Sequence, residues 1–292
     1  AALATTVNGG VAYPFTTFTL TNDIQISSDH NGSTAGNWDP MGTSIYNSTT
    51  YLMDNHFFEG TLDGNGHSIT NLQPLRVVEQ GEGGPRDYYA GLFFGIGESC
   101  VIKDLTIDGA ITIQDSSYVE GANGTIMAYA GAFAACADGG TLINCMFTGS
   151  LTVGASDNLF GFVQDGQQGG TIYAGGLVGD ANAVHARYAT YAGLSDTAES
   201  LFGMFSLYGC TNAATISCYV STVTNYASGE SYVGGLVGDL SATSGEIARC
   251  SNNGSVSLVQ DGYGARLGGL VGSMSVDNGG DSSPEGVYTF DA

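Results

Sequence analysis

The sequence predicts an all-β chain wound as a parallel β-helix, a solenoid of about five to six rungs with insertions at its corners. Three observations carry that expectation. Short stretches recur with one ending: Ser68-Ile69-Thr70-Asn71-Leu72, Val101-Ile102-Lys103-Asp104-Leu105, Thr141-Leu142-Ile143-Asn144-Cys145, Ser206-Leu207-Tyr208-Gly209-Cys210 and Glu246-Ile247-Ala248-Arg249-Cys250. In the last four, apolar residues return at fixed offsets from the closing residue. Ile102, Leu142, Leu207 and Ile247 stand three positions before it, Ile111, Leu151, Ile216 and Val256 six after it, and Ile113, Val153, Cys218 and Leu258 eight after it. The third observation is 46 glycines against five prolines, a ratio that favours many tight corners over a disordered linker. Fixed offsets in repeating units make stacked columns.

Taken in chain order, Leu3–Val7 and Val11–Leu20 read as strands outside the repeat. Residues 1–20 are therefore a terminal cap segment, 21–274 the repeat, and 275–292 a linker with a terminal strand. Each rung has a landmark upstream of its five-residue stretch: Ala90-Gly91-Leu92-Phe93, Ala130-Gly131-Ala132-Phe133, Gly175-Gly176-Leu177-Val178-Gly179, Gly234-Gly235-Leu236-Val237-Gly238 and Gly268-Gly269-Leu270-Val271-Gly272. Apolar cores bounded by glycine read as brief strands. A rung then holds three strands: the Gly-Leu-Val-Gly strand, the Ile-x-x-Cys strand, and an Ile/Val strand beyond a glycine corner at Gly109, Gly149 or Gly254. Asp104 sits in the same place as Asn71 and Asn144, so this row is expected to point outward or lie at a corner. Lys103 and Arg249 are expected to point outward too.

Spacing decides against a propeller. From Leu105 to Cys145 is 40 residues, from Cys145 to Cys210 is 65, and from Cys210 to Cys250 is 40. Propeller blades keep near-constant spacing, whereas a solenoid tolerates insertions at its corners. The insertions fall at Gln114–Met127, Gly154–Ile172 and Tyr219–Ser231 after the third strand, and at Asp180–Phe205 after the Gly-Leu-Val-Gly segment.

Six basic and 28 acidic residues give a net charge of −22. So few cations exclude nucleic acid and anionic membrane surfaces as partners. No apolar run reaches the roughly 18 residues of a membrane span, so membrane insertion is not expected. The start at Ala1 without methionine reads as a mature, exported chain. None of the six cysteines forms a C-x-x-C pair, which argues against a zinc site. Cys145, Cys210 and Cys250 share one column at a spacing of about 4.8 Å. That spacing allows a disulfide, although thiols packed as small apolar groups are the simpler reading.

Phe58-Glu59-Gly60-Thr61-Leu62-Asp63-Gly64-Asn65-Gly66-His67-Ser68-Ile69-Thr70-Asn71-Leu72 resembles the opening coil of bacterial surface proteins carrying GLUG repeats. Trp38-Asp39-Pro40-Met41-Gly42 looks like the element that precedes it in that family. The Gly-Gly-Leu-Val-Gly segments and Asn144-Cys145 resemble the repeat itself, and the likeness spans roughly residues 21–274. The resemblance implies an exported right-handed β-helix of adhesins and cell-envelope proteins, found also as a non-catalytic part of immunoglobulin-cleaving metallopeptidases. The chain departs from the family in its long insertions, and no wall anchor is expected from the sequence.

Catalytic sets are missing. His30, His56, His67 and His185 form no His-Glu-x-x-His. Lyases acting on acidic sugars need clustered Arg or Lys, but Arg76, Arg86, Lys103, Arg187, Arg249 and Arg266 are dispersed. Asp63, Asn65 and His67 loosely imitate a calcium loop without its closing glutamate, so His67 reads as a turn residue and no cofactor is expected, with Ca2+ at this loop as the alternative. The functional expectation is a secreted, non-catalytic protein with an adhesive or structural role at a cell surface, forming a homo-oligomer or polymer. Val11, Phe15 and Phe18 at one end, with Val287, Tyr288 and Phe290 at the other, are the candidate assembly strands, because exposed terminal rungs invite strand addition. The alternative is a carbohydrate-binding or polysaccharide-cleaving protein meeting a host or cell-surface glycan through Tyr118, Phe160, Phe162 and Tyr226 on the corner insertions.

Overall fold

The computed structural model describes residues 2–27, 36–47, 52–79, 86–114, 124–161, 168–181, 204–221, 230–241, 245–261, 264–275 and 288–291. The described chain is nearly all β and its sheets are parallel, as expected from the repeats. Sheet I takes Thr17–Thr19, Thr61–Asp63, Val101–Lys103, Gly140–Ile143, Phe205–Tyr208, Gly245–Ala248 and Tyr288–Asp291 in spatial order. Sheet II takes Ile24–Gln25, Ser68–Leu72, Thr106–Ile113 and Met146–Val153, then Thr211–Asn212 with Thr215–Ser221, and last Ser251–Asn252 with Val256–Asp261. Sheet III runs from Arg86–Ala90 through Gly124–Ala130, Gln168–Gly175 and Ser231–Gly234 to Ala265–Gly268, with Arg76–Glu79 antiparallel on its first edge. Sheet IV takes Phe93–Ile96, Ala134–Ala137, Val178–Ala181, Val237–Ser241 and Val271–Ser275. The chain visits sheets I, II, III and IV in turn, then returns to sheet I one strand farther along. A hairpin of Thr43–Asn47 with Leu52–His56 stands apart.

Predicted columns coincide with observed registers. Leu62, Ile102, Leu142, Leu207 and Ile247 pair in succession. Ile111, Leu151, Ile216 and Val256 form a second file, and Ile113, Val153, Cys218 and Leu258 a third. Most of these side chains are fully buried in one continuous core. Each such aliphatic group contributes about 1.5–3 kcal/mol relative to exposure. Repetition of the circuit therefore generates the core.

Four sheets replace the three expected strands per rung, and the glycine landmarks explain why. The Gly-Gly-Leu-Val-Gly segment spans the corner between sheets III and IV: its first glycine ends one strand, its second glycine and leucine turn, and its valine and last glycine begin the next strand. A β-carbon on Gly175 would lie 2.1 Å from the Val178 carbonyl oxygen, and on Gly234 1.9 Å from that of Val237. Only glycine lets the chain turn back so tightly. Gly109 and Gly149 are not corners either. They stack on each other inside the strands Thr106–Ile113 and Met146–Val153, where a β-carbon on Gly149 would meet the Gly109 carbonyl oxygen at 2.1 Å. Gly254 alone stands at a break in its strand.

Ser68–Leu72 is also displaced from its expected place. It pairs in sheet II with Thr106–Ile113, Ile69 facing Ile107, while Leu62 fills the column position beside Ile102. Period-two alternation is the same in both strands, so the pattern alone does not distinguish them. The row of Asp104, Asn144, Gly209 and Arg249 lies at the corner between sheets I and II as expected. All four have left-handed backbones, φ 50°, 50°, 61° and 54°, which Gly, Asn and Asp adopt most readily. The Asn144 amide donates to the Asp104 carboxylate at 3.0 Å. Asn71 lies instead within the sheet II strand Ser68–Leu72, with φ 59°, and its amide donates to the Ile26 carbonyl oxygen at 2.8 Å.

The first residues are a helix, Ala2–Asn8, where a strand was expected. Ala2, Leu3 and Ala4 are strong helix formers, and a helix satisfies its own backbone at the end of a sheet. Val7 is fully buried, and Leu3 and Ala4 pack on the core. Thr17–Thr19 and Ile24–Gln25 then begin sheets I and II. Arg76 secures the adjoining segment, with Nε donating to Asp39 at 2.7 Å and its amino groups to the Pro40 and Gly42 carbonyl oxygens.

Candidate functional site

Of the four residues expected on a ligand face, Phe160 alone falls among the described residues. Phe160 is fully buried, edge to face with Tyr88 at 5.6 Å and bridged to Val220, so it is a core residue. A short turn pairing Ala155 with Asn158 folds the chain back and delivers the ring inward. Tyr118, Phe162 and Tyr226 lie outside the described residues, as does Val287.

Aromatic side chains gather in a second buried cluster formed mainly by residues of sheets III and IV. Alternation along sheet III sends Tyr88, Ala128, Ile172 and Val233 into the main core, and Tyr89, Tyr129, Tyr173 and Tyr232 to the opposite face. These four tyrosines are in register on successive circuits. Their ring centroids are 4.9, 5.1 and 5.3 Å apart, the first two pairs stacked and the third tilted. Arg266 closes one end of the ladder at 5.5 Å from the Tyr232 ring and forms a salt bridge to Glu230. At the other end Phe94 packs on Tyr89 at 4.3 Å, with Arg76 over the Phe94 ring. The signal was present in the sequence: Tyr89-Ala90-Gly91, Tyr129-Ala130-Gly131 and Tyr173-Ala174-Gly175 place a tyrosine two residues before each corner glycine.

Sheet IV faces this ladder with a row that changes character along the molecule. Gly95, Cys136, Asp180, Asp239 and Ser273 succeed one another in register. Asp180 is 3% exposed. Burial first, then the charges of Asp239 and Asp138, pushes its carboxyl well above the usual carboxylate range. The Tyr232 phenol is pushed up to about 12, by burial and by its hydrogen bond to the Glu230 carboxylate at 3.0 Å. Stacked phenols beside like-charged carboxyls can hold a proton or accept hydrogen bonds, but they offer no cation to an acidic substrate.

Asp63 is engaged by Lys103 at 2.8 Å and accepts from the Asn65 backbone N–H. An ammonium group thus occupies the carboxylate that the loose calcium-loop pattern singled out. His67 sits 3.3 Å from Asp23, and its backbone N–H closes the turn on Gly64. Arg249 is exposed at its corner. Among the described residues, no three His, Cys, Asp or Glu side chains converge as a metal site.

The terminal candidates divide sharply. Phe18 packs on the core and makes an edge contact with Tyr13 at 5.1 Å, its strand paired with Thr61–Asp63. Val11 and Phe15 are exposed, Phe15 at 98%. Tyr288 and Phe290 lie in a strand that pairs in parallel with Gly245–Ala248, Phe290 opposite Ile247. No helix among the described residues is long and apolar enough to cross a membrane. Comparison with protein-family models, with curated proteins and with solved structures finds no match.

Proposed function

We propose that the chain is a secreted, non-catalytic structural or adhesive protein of the cell surface, wound as a right-handed parallel β-helix and able to assemble head to tail. The winding is supported by the fixed sheet order and by columns kept in register over successive circuits. Kinship with GLUG-repeat surface proteins belongs to the proposal and rests on the sequence motifs alone. The observation that carries assembly is the pairing of Tyr288–Asp291 on the edge of Gly245–Ala248. A terminal strand held through backbone bonds is exchangeable, because the same edge accepts the same segment from a neighbouring copy. A heterologous contact that does not close grows into a filament.

Electron microscopy of the purified chain across a concentration series tests this reading. Filaments that disappear on deletion of residues 288–292, with the circular dichroism of the remainder unchanged, are the expected result. Monomeric particles at every concentration overturn the assembly proposal.

A carbohydrate-directed reading has one specific support, the row of tyrosines whose last member, Tyr232, is half-buried with Arg266 over its ring. Aromatic rings can stack on sugar faces. A glycan array with a reducing-sugar assay tests it, and silence in both removes it.

A further inference from the structure

One row of side chains inside the first corner has chemistry that the proposed function does not use. Lys103, Ile143, Tyr208 and Ala248 are in register, and so are Thr106, Met146, Thr211 and Ser251. Leu105, Cys145, Cys210 and Cys250 therefore occupy one step on successive circuits. The Cys210 thiol donates to the Leu142 and Tyr208 carbonyl oxygens, each at 3.4 Å, and the Cys210 backbone N–H donates to Cys250 Sγ at 3.3 Å. All three are free thiols. Strands in a sheet lie about 4.8 Å apart, inside the roughly 4.4–6.8 Å between α-carbons that a disulfide spans.

We propose that Cys210 and Cys250 are an oxidisable pair whose disulfide ties two neighbouring circuits near the C-terminal end, leaving Cys145 beneath them as a thiol. Exposure selects the pair. Cys145 and Cys210 are buried, whereas Cys250 is half-buried and so is the member that meets an oxidant first. A small-molecule disulfide such as oxidised glutathione supplies the balance. The Cys250 thiolate attacks one sulfur and releases one glutathione thiol; the Cys210 thiolate then attacks Cys250 Sγ of the mixed disulfide and releases the second. Two protein thiols lose two electrons and two protons, and one disulfide is reduced to two thiols. Interaction with the neighbouring thiols and burial push the Cys250 thiol well above the usual thiol range and the Cys210 thiol up to about 12, so exchange in the folded chain is slow at neutral pH and quickens as pH rises. Cys218 is an internal control, since its column neighbours are Val153 and Leu258. The inference rests on strand register and not on export or assembly, so either proposal can fail without the other.

The test uses the full chain incubated with oxidised glutathione at pH 9, alkylated under denaturing conditions, and read by intact mass and peptide mapping. The expected result is two fewer alkylated thiols than in the reduced chain, a cross-linked peptide joining Cys210 to Cys250, and a thermal midpoint several degrees higher that returns to its starting value with dithiothreitol. C250S is expected to abolish all three signals, and C218S to leave them unchanged. Full alkylation after oxidation, a glutathione adduct without the cross-link, a Cys145–Cys210 bond, or loss of the signals in C218S would each overturn the assignment.

Discussion

The two ends of the molecule are finished in opposite ways. At the N-terminal end a helix seals the first circuit, with Val7 and Phe58 fully buried and Met41 bridged to Phe93. At the C-terminal end the last strands of sheets II, III and IV have no further strand paired to them among the described residues, and Val259, Leu267 and Met274 are 51%, 52% and 44% exposed. Among the described residues only sheet I receives a further strand, Tyr288–Asp291. Equal sequence repeats thus meet unequal solvation. The column residue Leu151 is fully buried in mid-molecule, whereas Val256 in the same file is only partly covered. A repeated pattern stabilises a position only where a neighbouring circuit lies on both sides.

The largest effect is expected from Val7→Asp, which places an unpaired carboxylate under the cap. It should lower unfolding free energy by about 3 kcal/mol or more, against less than about 0.5 kcal/mol for Val259→Asp at the exposed edge. Urea titrations of the two variants make the comparison directly, and equal losses would erase the distinction between the ends. Next comes the column itself. Leu142→Ala, flanked by circuits on both sides, should cost about 2–5 kcal/mol, and Leu258→Ala in the last circuit clearly less.

Asp180, between the two ends, gives a pH-dependent reference. Its folded-state carboxyl titrates above the usual carboxylate value of 3.8. Below pH 3.8 both folded and unfolded chains hold the proton and no cost arises. As pH climbs from there toward the raised value the unfolded chain ionises first, and the folded state loses about 1.4 kcal/mol of stability for each whole pH step of that climb. Asp180→Asn should therefore be more stable than the parent at pH 7 and similar to it near pH 3, as thermal melts across that range would register. Deleting residues 288–292 should be the mildest change to stability, because the strand adds to one edge of one sheet.

Much of this was legible in the sequence, for identifiable reasons. Columns such as Ile102–Leu142–Leu207–Ile247 were readable because every circuit buries the same offset, and the corner between sheets I and II was readable through Asp104 and Asn144, although its left-handed backbone was not. The fourth sheet was hidden because Gly-Leu-Val-Gly has strand composition but needs its glycines for a corner in which a β-carbon would strike a carbonyl oxygen. The tyrosine ladder was present in the Tyr-Ala-Gly recurrence, yet which face of the strand it took depended on the neighbouring sheet. The helix at Ala2–Asn8 is too short for periodicity to separate it from an apolar strand. The buried row in which Asn212 donates to Asn252 at 2.8 Å was equally obscure, since polar residues read as surface until a neighbouring circuit covers them.

The register of successive circuits is the claim on which the rest depends. It can be measured with paired spin labels at Thr112, Thr152, Ser217 and Ser257, which follow one another in sheet II. Separations should rise in equal steps of about 4.8 Å from one circuit to the next, with Thr152 and Ser217 as close as Thr112 and Thr152 despite the longer chain between them. Neighbouring labels separated by several times that spacing would contradict the account.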